Sequence, residues 1–275
     1  MSGPEAARFP RPGSAAARYV APVLGLPRAL AVALALALVG FAAGPARATD
    51  PCGRVHFISV YDSHGLTPFG DRLDGLLLSY PGAELTSYTL GGASPSWLLR
   101  RPISPRGYAF NSCEGKPLSP RSKLRKRDLR TPILEELLRV PEGTYERQVV
   151  ILTLGSNVPG TPGVQTAPVE RIVRAINARP EGVCIWVGPP AIRSWSARYA
   201  EQVYAAIREG IRAAVVARPR RGPACHLIDS RQFAVYPATG GDGTHYGFTP
   251  SGIAGAYRWA DGVGREIDRI LQSQP

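Results

Sequence analysis

The sequence predicts an α/β fold, a mostly parallel sheet with helices on both faces. Two observations carry this. Apolar runs of strand length alternate along the chain with stretches whose apolar residues recur at helical spacing. One of them, 148–155, is strongly apolar, as befits a strand buried on both sides. Strand–helix alternation of this kind implies helices packed over a parallel sheet.

The elements follow in order. "RVHFISVY" (54–61) reads as a buried first strand. Leu66, Phe69, Leu73, Leu76 and Leu77 then recur on one helical face. "AELTSYTL" (83–90) is a second strand and "QVVILTLG" (148–155) a third. Val169, Ile172, Val173 and Ile176 mark a helix, and "VCIWVG" (183–188) is a fourth strand. A long helix is expected over 196–217, and "CHLID" (225–229) is a short fifth strand. The last helix runs from Pro250 to about Leu271, with Thr249 as its cap and proline in its first turn.

One region, about 95–131, stands outside this pattern. It is rich in Pro, Ser and Arg and reads as a long loop inserted into the domain. It contains "RSKLRKRDLR" (121–130), with six basic residues and one acidic. Such a loop is either a solvated basic stretch or a lip that attracts an anionic polymer. "PILEELL" (132–138) then reads as a helix that returns the chain to the sheet.

The N-terminal segment has a separate character. Arg8, Arg11, Arg18 and Arg28 precede the apolar "ALAVALALALVGFAAG", and "ARA" (46–48) follows. A basic region, a short apolar core and a small-x-small site describe a secretory signal peptide, with cleavage expected after Ala48. The alternative is an uncleaved N-terminal anchor. The domain then spans 49–275, with no stable membrane span after cleavage. Removing a leader with five arginines and one glutamate from a chain of net charge +12 leaves +8. A surface so basic favours polyanions, and export makes nucleic acid the least expected of them. All four cysteines, Cys52, Cys113, Cys184 and Cys225, lie beyond the leader, where disulfides are permitted.

Four polar features fall at strand or helix ends. Ser63 lies just past the first strand, "LGGASP" (90–95) past the second and "LGSN" (154–157) past the third. "GGDGTHYGFTPSG" (240–252) lies just before the last helix. A parallel sheet brings all four toward one rim, where ligands collect. A serine, small-residue turns with free amides, an amide side chain and an Asp/His pair are the parts of a serine esterase. Taken alone, each has a plainer reading: a helix cap at Ser63, a surface turn at Asp242–His245, a loop residue at Asn157. No His/Cys/Asp/Glu cluster has zinc-site spacing, no glycine-rich loop has a phosphate-cradling pattern, and no cofactor is expected.

Together these blocks resemble the SGNH (GDSL-type) hydrolase superfamily, over about residues 53–272. "YDSH" resembles the first block, with Ser63 in the nucleophile position. "GGAS" resembles the second, with Gly92 the better match and Gly91 its neighbour. "GSN" resembles the third, through Asn157, and "DGTH" the fourth, an Asp-x-x-His with Asp242 and His245. The resemblance implies Ser63 as nucleophile, His245 as general base and Asp242 as the residue that orients it. The Ser63 and Gly92 backbone N–H groups and the Asn157 amide would hold the oxyanion. It also implies a flavodoxin-like α/β/α sandwich with a five-stranded parallel sheet in the order 2-1-3-4-5, and Ser63 at a helix N-terminus. One departure is Tyr61, where the family usually has glycine; it is expected to crowd the turn or line the pocket. His64 is expected to pack or to face substrate.

The expected activity is an exported serine esterase acting on an ester substrate, an O-acetyl group on a polysaccharide such as peptidoglycan. The alternatives are a lysophospholipase or thioesterase with the same residues, and a non-catalytic glycan-binding protein on the same fold. In the 2-1-3-4-5 order the fourth and fifth strands are parallel neighbours, and Cys184 and Cys225 stand near their starts. That register predicts a Cys184–Cys225 disulfide and leaves Cys52 to pair with Cys113.

Overall fold

Strand faces alternate, and this alternation builds two cores. In the computed structural model, which describes residues 52–115, 126–141, 143–158, 160–215, 224–247 and 249–274, β1 (Val55–Tyr61) sends Phe57 and Tyr61 to one side of the sheet and Ile58 and Val60 to the other. β6 (Arg147–Thr153) divides Val149 and Ile151 from Val150 and Leu152 in the same way. Because successive side chains point to opposite faces, a strand apolar throughout needs helices on both sides.

Those helices are present. On the first face lie α1 (Pro68–Leu78) and α5 (Pro250–Ser273), which pack on each other. Trp259 of α5 stacks on Phe69 of α1, ring centroids 3.6 Å apart, and its indole N–H donates to Ser230 Oγ at 2.8 Å. On the second face lie the one-turn α2 (Leu134–Leu137), α3 (Thr166–Asn177) and α4 (Ala197–Ala213), with α3 against α4. α2 and α4 are shorter than the sequence predicts. Thr249 caps α5 by accepting the Gly252 N–H at 3.0 Å, with Pro250 in the first turn.

The main sheet has six strands, which corrects the expected five. The predicted five occur in the predicted order, as β2 (Ala83–Leu90), β1, β6, β7 (Gly182–Val187) and β8 (His226–Ile228), all parallel. Outside β2 runs an antiparallel sixth, β4 (Gly107–Cys113), paired from Leu90↔Gly107 to Glu84↔Cys113. It comes from the region read as a loop. Two further short strands of that region, β3 (Ile103–Ser104) and β5 (Leu129–Arg130), pair as a separate ribbon. The physical reason is non-local: β4 is only partly buried, and its order comes from the β2 edge it covers.

Both expected disulfides form, Cys184–Cys225 with Cα atoms 4.6 Å apart and Cys52–Cys113 with Cα atoms 6.0 Å apart. Cys184 and Cys225 lie one residue before the registered pair Ile185↔His226. No helix among the described residues is long and apolar enough to cross a membrane. The predicted leader, 1–48, and residues 121–125 of the basic segment lie outside the described residues.

Candidate active site

Register sets the height of the site. Tyr61 is level with Thr89 of β2 and with Thr153 of β6, so the carboxyl ends of three adjacent strands are flush. Each of the first three polar blocks begins just past that line. The fourth arrives from the opposite direction, on the loop that enters α5.

After β1 the chain makes a 3₁₀ turn, Ser63–Leu66, before α1 begins at Pro68. Ser63 therefore sits on this turn and not at the N-terminus of α1, which corrects the expectation and removes the α1 dipole as its direct support. Asp62 caps the turn: its Oδ1 accepts the His64 N–H at 2.9 Å. The turn is tight because Gly65 has no Cβ; one added there would strike the Tyr61 Cβ and Thr89 Oγ1. Tyr61 itself neither crowds the nucleophile nor lines the cleft. Its ring is buried against Phe69, and its hydroxyl donates to Asp74 Oδ1 at 2.6 Å, while Ser87 donates to Asp74 Oδ2 at 2.9 Å. A glycine two residues after the serine thus supplies the room that a tyrosine two residues before it consumes.

Ser63, His245 and Asp242 lie in line. His245 Nδ1 stands 2.6 Å from Asp242 Oδ2, and His245 Nε2 stands 2.8 Å from Ser63 Oγ. The carboxylate can only accept, so Nδ1 carries the ring proton and Nε2 is left to accept from the serine. Asp242 Oδ1 also accepts the Thr244 and His245 backbone N–H groups at 2.9 and 2.7 Å, so the Asp-x-x-His turn is closed by its own aspartate. Burial pushes the Asp242 carboxyl up, but the hydrogen bonds from His245 and Thr244 outweigh it and hold the group well below the usual carboxylate range. A hydroxyl, an imidazole and a carboxylate so arranged can move a proton off the serine as its oxygen attacks.

A cleft of about 580 Å³ opens over Ser63, lined among others by Gly91, Gly92, Arg106, Asn157, His245 and Tyr246. Gly92 has φ +84°, which a side chain would strain, in a turn closed by Ala93 N–H donating to Leu90 O at 3.0 Å. The Asn157 amide donates to Ala93 O at 3.2 Å, which fixes its plane and leaves a second N–H. Among the described residues, neither the Ser63 nor the Gly92 backbone N–H has a hydrogen-bond partner. Four of the five residues expected from the sequence therefore line one cleft, and the fifth, Asp242, stands behind His245 on its Nδ1 side.

Three contributors were not assigned from the sequence. Arg193, on the loop after β7, donates to the carbonyls of Pro237, Ala238 and Gly240, and its own backbone N–H donates to Gly243 O at 2.9 Å. The Tyr236 hydroxyl donates to His245 O at 3.2 Å and accepts the Gly243 N–H at 3.0 Å. Both hold the loop that carries Asp242 and His245, and no local pattern marks either. The third is His64, fully buried. Its Nδ1 faces Asp62 Oδ1 at 3.0 Å and its Nε2 faces Thr244 O at 3.1 Å. Both partners accept, so each ring nitrogen is placed to donate, and Ser156 Oγ also stands 3.3 Å from Nδ1. Burial lowers its pKa, but the charge and hydrogen bond of Asp62, with the Thr244 carbonyl and the charge of Asp242, outweigh burial and raise it. Adjacency to the serine block was the available signal, and a packing or substrate-facing role was the expectation; it packs, and it does not line the cleft.

No family model matches the chain, and no curated protein matches it. Several solved structures are similar to it in chain path. The C-terminal catalytic domain of Streptococcus pneumoniae peptidoglycan O-acetyltransferase A, with a methylsulfonyl adduct, is 18% identical with a TM-score of 0.49, covering 81% of this chain and 97% of that one. A serine-to-alanine mutant of an acetyl esterase, with acetate ion, is 12% identical with a TM-score of 0.48, covering 79% and 98%. The lipase/acylhydrolase from Enterococcus faecalis is 15% identical with a TM-score of 0.44, covering 77% and 95%.

Proposed function

We propose that this chain is an SGNH-type serine esterase that hydrolyses carboxylic esters through an acyl-enzyme. The observation that carries the reading is the line Ser63–His245–Asp242, at 2.8 and 2.6 Å. Ser63 Oγ attacks the ester carbonyl carbon, and its proton passes to His245 Nε2. The carbonyl π pair moves to oxygen, where the Ser63 and Gly92 N–H groups and the second Asn157 N–H receive it. When the tetrahedral intermediate collapses, the C–O bond breaks and the alcohol leaves with the proton from His245. Water then repeats the sequence on the acyl-serine, giving the acid and free Ser63. Asp242 stabilises the imidazolium formed in each half without taking its proton.

The natural substrate on this reading is an O-acetyl group on a polysaccharide outside the cell. Two disulfides and the leader-like first 48 residues support export. A fluorophosphonate probe should label the protein and fail to label Ser63→Ala; equal labelling of the variant would overturn the assignment. In a series of 4-nitrophenyl esters, kcat/KM should be highest at acetate. A maximum at octanoate or longer would replace the acetylesterase reading with a lysophospholipase or thioesterase.

A further inference from the structure

A second cleft, about 410 Å³, is lined by Pro105, Arg106, Lys126 and Arg127. Pro105 and Arg106 also line the catalytic cleft, so the two are contiguous across these residues. All three charged side chains of the second cleft are cationic. Asp128, the one acid of the basic segment, does not line it, and among the described residues no carboxylate forms an ion pair with Arg106, Lys126 or Arg127.

These cations stand on an ordered platform. Arg106 O accepts the Gly91 N–H at 2.8 Å and the Ser104 hydroxyl at 2.7 Å, which ties it to the second block of the site. Lys126 exchanges two backbone hydrogen bonds with Gly107 at the start of β4, at 2.7 and 3.2 Å. Two residues after Arg127, β5 pairs with β3. Like charges gathered at one cleft repel each other. An anionic ligand would relieve that repulsion, and a basic cleft beside the nucleophile would raise the local concentration of an anionic substrate.

We propose that Arg106, Lys126 and Arg127 form an anion subsite, and that the ester cleaved at Ser63 belongs to an acylated glycan bearing several carboxylates. The proposal rests on the esterase reading and names its substrate class. Three cations at one cleft suit the repeated charges of a polymer better than the single phosphate of a lipid headgroup. The serine attacks an acyl group on one sugar while neighbouring sugars hold their carboxylates against the basic cleft.

The test compares O-acetylated polygalacturonate with O-acetylated glucomannan, a neutral polymer, and with lysophosphatidylglycerol. The readout is the ratio of kcat/KM on the acidic polymer to that on the neutral one. In the wild type at low salt the ratio should exceed ten. It should fall about tenfold or more in Arg106→Gln/Lys126→Gln/Arg127→Gln, and likewise in the wild type at 200 mM NaCl. A ratio near one, or one that neither change moves, overturns the proposal. So does cation-dependent cleavage of lysophosphatidylglycerol without cleavage of the acidic polymer. Fluorophosphonate labelling and circular dichroism report whether the triple variant is folded and competent; if it is not, Arg127→Gln alone carries the comparison. If the wild type is not labelled at all, the esterase reading has failed, and calorimetric binding of polygalacturonate to Ser63→Ala still decides the subsite. Binding lost in the cation variants supports it, and binding unchanged or absent overturns it.

Discussion

Asp62, Ser63 and His64 are consecutive, and each faces a different neighbour. Asp62 caps the turn, Ser63 meets His245, and His64 reaches the Thr244 carbonyl. His64 thereby ties the nucleophile turn to the Asp-x-x-His loop. His64→Leu should cut kcat by tenfold or more with a smaller change in KM, because it frees Thr244 beside the base. It should also cost about 1–3 kcal/mol of stability, since the buried Asp62 loses its hydrogen bond to the ring; urea titration beside steady-state kinetics measures both. Asn157→Ala should lower kcat by roughly 10²–10³-fold and leave KM nearly unchanged, because its N–H bonds most strongly to charge that exists only in the transition state. A change confined to KM would make Asn157 a ground-state binding residue instead. At this scale the convergence of the five expected residues was legible, because each lies in a short motif at a strand or helix end. The loop-holding bonds of Arg193 and Tyr236 and the His64–Thr244 bond were not, because their partners are backbone groups, which leave no residue pattern.

At the scale of elements, apolar runs located the five parallel strands closely. Their neighbours are buried on both faces, so composition and position agree. β4 was missed for the converse reason. "GYAFNSC" is only partly buried, sits among prolines and arginines, and is ordered by pairing with β2 and by the Cys52–Cys113 bond beside it. The same separation of ends lets stability be changed apart from catalysis. Cys184 lies toward the start of β7 and Cys225 just before β8, at the end of the sheet away from Ser63. Replacing both by serine should cost about 2–4 kcal/mol. Thermal melting should register this loss, while kcat on a small ester at 25 °C stays within twofold of the wild type.

For the molecule as a whole, two buried histidines set opposite slopes of stability against pH. Burial lowers His56 to about 4, between Thr86 and Gln148. Its unfolded form takes up a proton near 6.5 that the folded form refuses, so stability drains as pH falls from about 6.5 toward 4. The full loss from this one group is about 3 kcal/mol. His64 is raised, so its contribution is complete below about 6.5 and is lost as pH rises through its folded value. His56→Gln should therefore flatten the acid limb of the denaturation profile between pH 6.5 and 4 and leave the alkaline limb in place. An unchanged acid limb would show that other groups control it. Neither slope was readable from composition, since both depend on what surrounds a histidine after folding.

The two disulfides join the first cysteine to the second and the third to the fourth. Their loops, 52–113 and 184–225, neither overlap nor nest. A chain oxidised from its N-terminal end as it emerges from a translocation pore would therefore meet each correct partner before any wrong one. Native connectivity follows from order of appearance alone, with no shuffling of bonds. Yield of the native protein should accordingly depend on a thiol oxidase and be indifferent to a disulfide isomerase. Expression in strains lacking one or the other measures this directly, and a requirement for the isomerase would show that the chain pairs its cysteines only after it has emerged.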